Sequence, residues 1–257
     1  MRRLIAFPCA GDRLLGTLDE ASGETGLLIV SGGNEVRAGA HRGMALLAAR
    51  LAAAGVPVFR FDRRGVGDSS GENGGFLSSA PDIAAAAATF TAETGVRRLI
   101  AFGNCDAATA LALFGHCAGI DRLILANPWV IDDADDLPPA AAIRARYADK
   151  VKNPREWLRL ASGGVNLRRL VVGLRKVTQA RSPREDGLAA RLIAALEGWG
   201  ARATILLANG DSTALAFRDA MKTATLAAPI ETLDSPSHSF AREGDADWLF
   251  ERIFEAI

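Results

Sequence analysis

The chain of 257 residues is 49% hydrophobic, which is enough to form one large core, or a core with a smaller cap. Its 30 basic and 30 acidic side chains give a net charge of zero, which excludes a general electrostatic attraction to nucleic acid or to an anionic membrane surface. The three cysteines, Cys9, Cys105 and Cys117, have no paired spacing, so we expect neither a disulfide framework nor a zinc site, and we predict a cytoplasmic location. No stretch approaches the ~20 apolar residues of a membrane span, and the first apolar run breaks at Pro8, so a signal peptide is not expected.

Strands and helices are predicted to alternate over the first half of the chain. Apolar runs and helical periodicity indicate strands at 13–18, 26–31, 56–61, 98–102 and 122–126, and helices at 43–54, at 81–91 and from Asp106 onward. Two further strand-like runs follow at 203–208 and 230–233. Repeated strand–helix units with nearly continuous apolar strands predict an α/β fold, with a mostly parallel central sheet flanked by helices.

The pattern breaks at residues 131–191. An acidic run at 132–136 leads to Pro138-Pro139, and helical stretches without a convincing strand follow. Residues 144–184 contain twelve Lys or Arg and only two acidic residues. We predict a helical cap at 131–191, inserted into a core formed by 1–130 and 192–257. Over the carboxyl ends of the strands, Arg155 and Arg159 would meet an anionic substrate or carrier; the alternative is that the basic residues only form a solvated face.

A cysteine stands where the strand at 98–102 turns into the following helix. Gly103 and Ala107, two residues before and two after Cys105, are small enough for the strand and helix backbones to pack closely. This spacing is typical of a nucleophile elbow, with Cys in place of the usual Ser. The unpaired N–H groups at the start of the helix would favour the thiolate. Because Cys is also one of the most frequently buried residue types, a structural role for Cys105 is the alternative.

An acid and a base follow in the order nucleophile, acid, histidine. Asp211 comes after the strand-like run at 203–208, and His238 comes after the run at 230–233. We predict that His238 is the base for Cys105 and that Asp211 orients it. His41 and His116 are weaker candidate bases, of which His41 is the next to test, and Asp106 or Asp234 could replace Asp211 if the late strands are misplaced.

The predicted oxyanion hole combines two segments. Gly32-Gly33-Asn34 follows an early strand, where a glycine backbone can bring an N–H group towards a developing oxyanion. Gly33 or Asn34 would donate one hydrogen bond, and the N–H of Asp106 the other. His41 lies close enough in sequence to line the substrate pocket.

These motifs carry a resemblance. The pattern D-x-R-G-x-G-x-S, present as Asp62, Arg64, Gly65, Gly67 and Ser69, is similar to the structural turn after strand four of many α/β-hydrolases; the lysine and spacing of a phosphate-binding loop are missing. More narrowly, the chain resembles hydrolase 1 of the exosortase A system. Five segments carry this resemblance: VSGG at 30–33, His41-Arg42, FDRRGVGDSSGE at 61–72, GNCDAA at 103–108, and residues 157–168. Those bacterial proteins are encoded near genes for exopolysaccharide export and protein sorting. The resemblance implies a cytoplasmic α/β-hydrolase with a Cys nucleophile and a cap after strand six.

Together these observations predict a hydrolase that cleaves an ester or thioester of a small or carrier-linked acyl substrate through an acyl-enzyme intermediate. The mechanism requires no metal and no organic cofactor. Two alternatives remain open: an acyltransferase on the same scaffold, and a non-catalytic binding protein of an exopolysaccharide pathway.

Overall fold

The computed structural model describes residues 1–132 and 187–257. The predicted cap, including Arg155 and Arg159, therefore lies almost entirely outside the described residues. Helix α4 (Leu188–Trp199) begins inside the range predicted for the cap. Its Leu192, Leu196 and Trp199 are buried in the main core, so in the structure the core resumes at the start of this helix.

The described residues form one eight-stranded sheet with the order β1-β2-β4-β3-β5-β6-β7-β8. The strands are β1 (Arg2–Cys9), β2 (Asp12–Asp19), β3 (Thr25–Val30), β4 (Val58–Phe61), β5 (Arg98–Asn104), β6 (Arg122–Ala126), β7 (Ala203–Ala208) and β8 (Ile230–Leu233). Strands β3 to β8 run parallel, whereas β2 pairs antiparallel with both β1 and β4. The prediction of a mostly parallel sheet is confirmed.

Strand β1 at the sheet edge is absent from the sequence-based prediction. It pairs with β2 over its full length, from Arg2 opposite Asp19 to Cys9 opposite Asp12. Pro8, which interrupts the apolar run in the sequence, is tolerated because an edge strand has one side free of ladder hydrogen bonds. Strand β4 begins at Val58 rather than at residue 56, just after Pro57, which cannot donate to the ladder.

Helices cover both faces of the sheet. The other helices of the described residues are α1 (Gly43–Ala53), α2 (Ala80–Thr94), α3 (Asp106–Phe114), α5 (Ser212–Ala220) and α6 (Asp245–Ala256). Adjacent side chains of β3 point to opposite faces, so Leu28 packs in the core that contains Phe90 of α2, and Leu27 packs in the core that contains Leu51 and Leu249. Two separate apolar cores therefore hold the strand ends in place from both sides.

None of the helices in the described residues is long and apolar enough to cross a membrane.

Candidate active site

Cys105 lies at the sharp turn between β5 and α3. Its backbone has φ 62° and ψ −127°, an unusual conformation for a residue other than glycine. Three backbone hydrogen bonds hold it: its N–H donates to the carbonyl of Ala126 (3.0 Å), and its carbonyl accepts from the N–H groups of Trp129 (3.2 Å) and Thr109 (3.4 Å). A Cβ on Gly103 would come within 2.9 Å of the Ala107 and Ala108 backbones, so only glycine fits there. The local geometry is that of the predicted elbow.

Asp211 and His238 meet at the carboxyl ends of β7 and β8. Asp211 caps α5, and its Oδ2 accepts from the N–H groups of Thr213 and Ala214, each at 3.1 Å. The same oxygen lies 3.0 Å from Nδ1 of His238. The helix N-terminus stabilises the negative charge of the buried carboxylate. This contact requires a proton on Nδ1 of His238 and leaves the other ring nitrogen, Nε2, for a second partner.

Cys105 also interacts with the imidazole. Burial lowers the pKa of His238, but hydrogen bonds to the side chains of Asp211 and Cys105, with the charges of both groups, outweigh it and raise the pKa to about 10. The imidazole is therefore held in its protonated form at neutral pH, between two acidic partners. Asp211 and His238 are thus joined by a hydrogen bond, and Cys105 interacts with the same imidazole strongly enough to raise its pKa.

The predicted oxyanion loop lies directly against the elbow. A Cβ on Gly32 would come within 2.5 Å of the Asn104 carbonyl oxygen and 3.3 Å of the Cys105 Cβ, which explains a glycine at this position. The N–H of Gly33, one of the predicted oxyanion donors, donates to Oδ1 of Asp106 at 2.7 Å. The carboxylate of Asp106 therefore occupies this donor in the described structure. Asn34 lies beside it, and its side-chain oxygen accepts from Nδ2 of Asn73 (2.7 Å).

The turn after β4 supports this loop. Arg63 is buried and donates from Nη2 to the Gly33 carbonyl. Asp62, fully buried, accepts from the N–H groups of Arg37 (2.6 Å) and Asp68 (3.1 Å) and pairs with the Arg37 guanidinium. The D-x-R-G-x-G-x-S segment thus has a structural role next to the site.

Two asparagines near the site were not predicted from the sequence. Asn104 precedes Cys105, and Asn127 follows β6; both donate to the backbone carbonyl of His238, at 3.0 Å and 3.2 Å. In the sequence, Asn127 precedes Pro128 and looks like a turn residue. Only its complete burial indicates a different role.

The remaining candidate residues are His41, Asp234, His116, Arg155 and Arg159. His41 is exposed in a short 3-10 helix (Ala40–Arg42), and the described residues show no hydrogen bond from it to the triad; its substrate-binding role stays a prediction. Asp234 is exposed, and Asp211 rather than Asp234 contacts His238. His116 stacks on Trp199 with the ring centroids 3.7 Å apart, and burial and then the charge of Arg202 lower its pKa. Arg155 and Arg159 lie outside the described residues. Within residues 1–132 and 187–257, no group of three or more His, Cys, Asp or Glu residues is arranged to hold a metal ion.

A family model described as serine aminopeptidase, S33, matches residues 25–179, more than half of the chain. The chain belongs to the S33 serine aminopeptidase family. This places it in the α/β-hydrolase superfamily, as the sequence motifs predicted. The family description names a serine enzyme, whereas the elbow of this S33 family member carries Cys105. No curated protein matches the sequence at a significant level.

Solved structures agree on the fold. The S33 family member is similar to the α/β hydrolase GrgF from Penicillium sp. sh18, with a TM-score of 0.68 and 16% identity over 100% of this chain and 97% of that one. It is also similar to an esterase of Pyrococcus furiosus, with a TM-score of 0.64 and 15% identity over 100% of this chain and 90% of that one. The thioesterase domain from the curacin biosynthetic pathway is similar with a TM-score of 0.61 and 14% identity, over 99% of this chain and 99% of that one. At these identities the likeness shows the fold, which is that of α/β hydrolases.

Proposed function

We propose that this chain is a hydrolase that cleaves an ester or thioester through an acyl-enzyme on Cys105, with His238 as base and Asp211 orienting it. The observation that carries the proposal is the 3.0 Å hydrogen bond between Asp211 and His238, together with the interaction of Cys105 with the same imidazole. The acidic side chain, the imidazole and the thiol come from three different strand ends, and a buried structural cysteine would need none of these contacts. Membership of a hydrolase family and the esterase and thioesterase folds among its neighbours support the same class.

The chemistry follows from the protonated state of His238. The Cys105 thiolate attacks the carbonyl carbon, a C–S bond forms, and the negative charge moves to the carbonyl oxygen. Backbone N–H groups of the Gly33-Asn34 loop and of Asp106 stabilise that oxyanion. The bond to the leaving alcohol or thiol then breaks, and the imidazolium gives it a proton. Neutral His238 next removes a proton from water, which hydrolyses the thioester and restores the ion pair.

The substrate class is the finer part of the proposal. A thiolate paired with an imidazolium suits activated carbonyls such as esters and thioesters, because no proton has to be removed from the nucleophile at the moment of attack. The resemblance to hydrolase 1 of the exosortase A system supports a cytoplasmic role in exopolysaccharide-linked or exosortase-linked metabolism. We also propose that the segment from residue 131 to the start of α4 forms the cap and that its basic side chains select an anionic or carrier-linked substrate.

Trapping the acyl-enzyme tests the proposal. The protein would be mixed with p-nitrophenyl acetate at pH 7, quenched in acid and examined by mass spectrometry of its peptides. We expect one acetyl group on the peptide that contains Cys105. In Cys105→Ala this adduct should be absent, and the turnover rate should fall by a factor of about a thousand or more. Cys117→Ala, which removes an exposed cysteine, is the matched control and should behave like the wild type. Turnover by Cys105→Ala at the wild-type rate would show that the mechanism is not covalent catalysis on this residue.

A further inference from the structure

Asn127 is a fully buried polar residue at the carboxyl end of β6. Its backbone has φ +41°, in the left-handed region that asparagine tolerates better than most residues. Burying an amide side chain is costly unless its polar atoms are paired. A glycine would satisfy this backbone without that cost, so the buried amide calls for an explanation.

The Asn127 side chain joins the segments that carry the three triad residues. Its Oδ1 accepts from the N–H of Ala208 (2.9 Å), at the end of β7 and just before the Asp211 loop. Its Nδ2 donates to Oδ1 of Asn104 (3.3 Å), the residue before Cys105, and to the carbonyl of His238 (3.2 Å). One amide therefore contacts the elbow, the acid-bearing segment and the base-bearing loop.

Asn104 completes the arrangement. Its Nδ2 donates to the same His238 carbonyl at 3.0 Å, so this backbone oxygen accepts from two side-chain amides. The carbonyl belongs to the residue whose imidazole must lie within hydrogen-bonding reach of the Cys105 thiol. Both bonds act on the backbone of His238 and leave its ring free for Asp211 and Cys105.

We propose that Asn127 and Asn104 are positioning residues, an amide clamp that holds the backbone of His238 at a set distance from Cys105. The inference rests on the proposed function, because it concerns the placement of that triad. The clamp matters since a displacement of a catalytic group by about 1 Å can reduce a rate by on the order of a hundredfold. The loop that carries His238 contains Ser235, Pro236 and Ser237 rather than a regular element, so it needs such ties to the sheet.

Two variants and one control test the clamp in the full chain. Asn104→Ala removes one donor to the His238 carbonyl and keeps Asn127. Asn127→Ala removes the other donor and also leaves the Ala208 N–H without its acceptor, so we expect it to lower the melting temperature more. Ser79→Ala is the control, because Ser79 is as buried as Asn127 and its Oγ donates to the Phe76 carbonyl (2.6 Å), with no hydrogen bond to the triad.

The probes are iodoacetamide, for the reactivity of Cys105 between pH 5 and 10, and p-nitrophenyl acetate, for turnover. In Asn104→Ala we expect kcat to fall roughly ten- to a hundredfold with little change in KM, and the pH profile of Cys105 alkylation to shift towards that of an unpaired thiol. Asn127→Ala should change both in the same direction. Ser79→Ala should lower the melting temperature and leave the pH profile and kcat unchanged.

The inference is overturned if both asparagine variants lower only the melting temperature while the alkylation profile and kcat match the wild type. That result would make the clamp purely structural and would leave the proposed function standing. A wild-type Cys105 that reacts no faster than Cys117 would instead contradict the proposed function, and the positioning inference with it.

Discussion

The carboxylate of Asp106 accepts a 2.7 Å hydrogen bond from the backbone N–H of Gly33. These residues belong to two segments, the loop after β3 and the first turn of α3, that were each expected to supply an N–H group to the oxyanion. The carboxylate lies at the N-terminus of α3, where the helix dipole favours negative charge. An acyl substrate that uses the Gly33 N–H must therefore displace the Asp106 side chain.

Removing this carboxylate is predicted to make the site more active on a neutral ester. A hydrogen bond to a charged group contributes about 1.5–3 kcal/mol, which the substrate has to overcome before Gly33 can serve the oxyanion. Asp106→Ala should therefore raise kcat/KM for p-nitrophenyl acetate by roughly tenfold. Asp106→Asn, which keeps an acceptor oxygen without the charge, should give a smaller increase. A decrease in both variants would mean that the carboxylate is needed to hold the Gly33 loop in its active position.

The three cysteines are predicted to differ strongly in reactivity. Cys9 is buried, and burial, followed by the charge and hydrogen bond of Asp82, raises its pKa to about 11. Cys117 is exposed, and Cys105 contacts the protonated imidazole of His238. Iodoacetamide at pH 6 should therefore modify Cys105 first, Cys117 slowly and Cys9 hardly at all, as read by peptide mass spectrometry. In His238→Ala the advantage of Cys105 over Cys117 should disappear, and an unchanged ranking would move the base elsewhere, with His41 the next residue to test.

The imidazole of His238 should remain protonated far above the usual range for histidine. Its pKa is about 10 in the folded protein and 6.5 in the reference state, so the folded chain holds this proton more tightly. The imidazole's contribution to the free energy of unfolding is therefore complete below pH 6.5 and is lost as the pH rises through about 10.

An NMR titration can follow this proton, because the chain has only three histidines. We expect one imidazole, absent from the spectrum of His238→Ala, to titrate near pH 10, and the resonance of His116 to titrate below 6.5. Asp211→Asn should lower the pKa of His238, since it removes the negative charge from the group that accepts the hydrogen bond of Nδ1. Titration of His238 near 6.5 would contradict the ion pair.

The basic segment of the predicted cap should matter only for charged substrates. Replacing Arg155, Arg159 and Arg168 with Gln is expected to raise KM for an acyl-coenzyme A and to have a slight effect on p-nitrophenyl acetate, because the guanidinium groups bind phosphates that only the first substrate carries. Raising the ionic strength should mimic the substitutions, since exposed charges are screened over about 8–10 Å. An equal loss on both substrates would identify these arginines as structural or merely solvated.

The sequence alone determined the order of the fold and the positions of the triad candidates. Apolar runs ending at polar residues mark the parallel strands, and Gly103 and Ala107 mark the elbow, because the close approach of strand and helix excludes larger side chains there. Asp211 and His238 could be predicted because each follows a strand, and parallel strands bring their carboxyl ends to one edge of the sheet.

Only the tertiary structure decided the contacts around that triad. The pairing of Asn104, Asn127, Ala208 and His238 joins residues that are far apart in sequence and depends on the register of β5, β6 and β7, which no local pattern specifies. The occupation of the Gly33 N–H by Asp106 depends on a side-chain rotamer and on the path of a loop. Local periodicity and turn chemistry define elements, whereas these contacts arise when the two apolar cores fix the elements against one another.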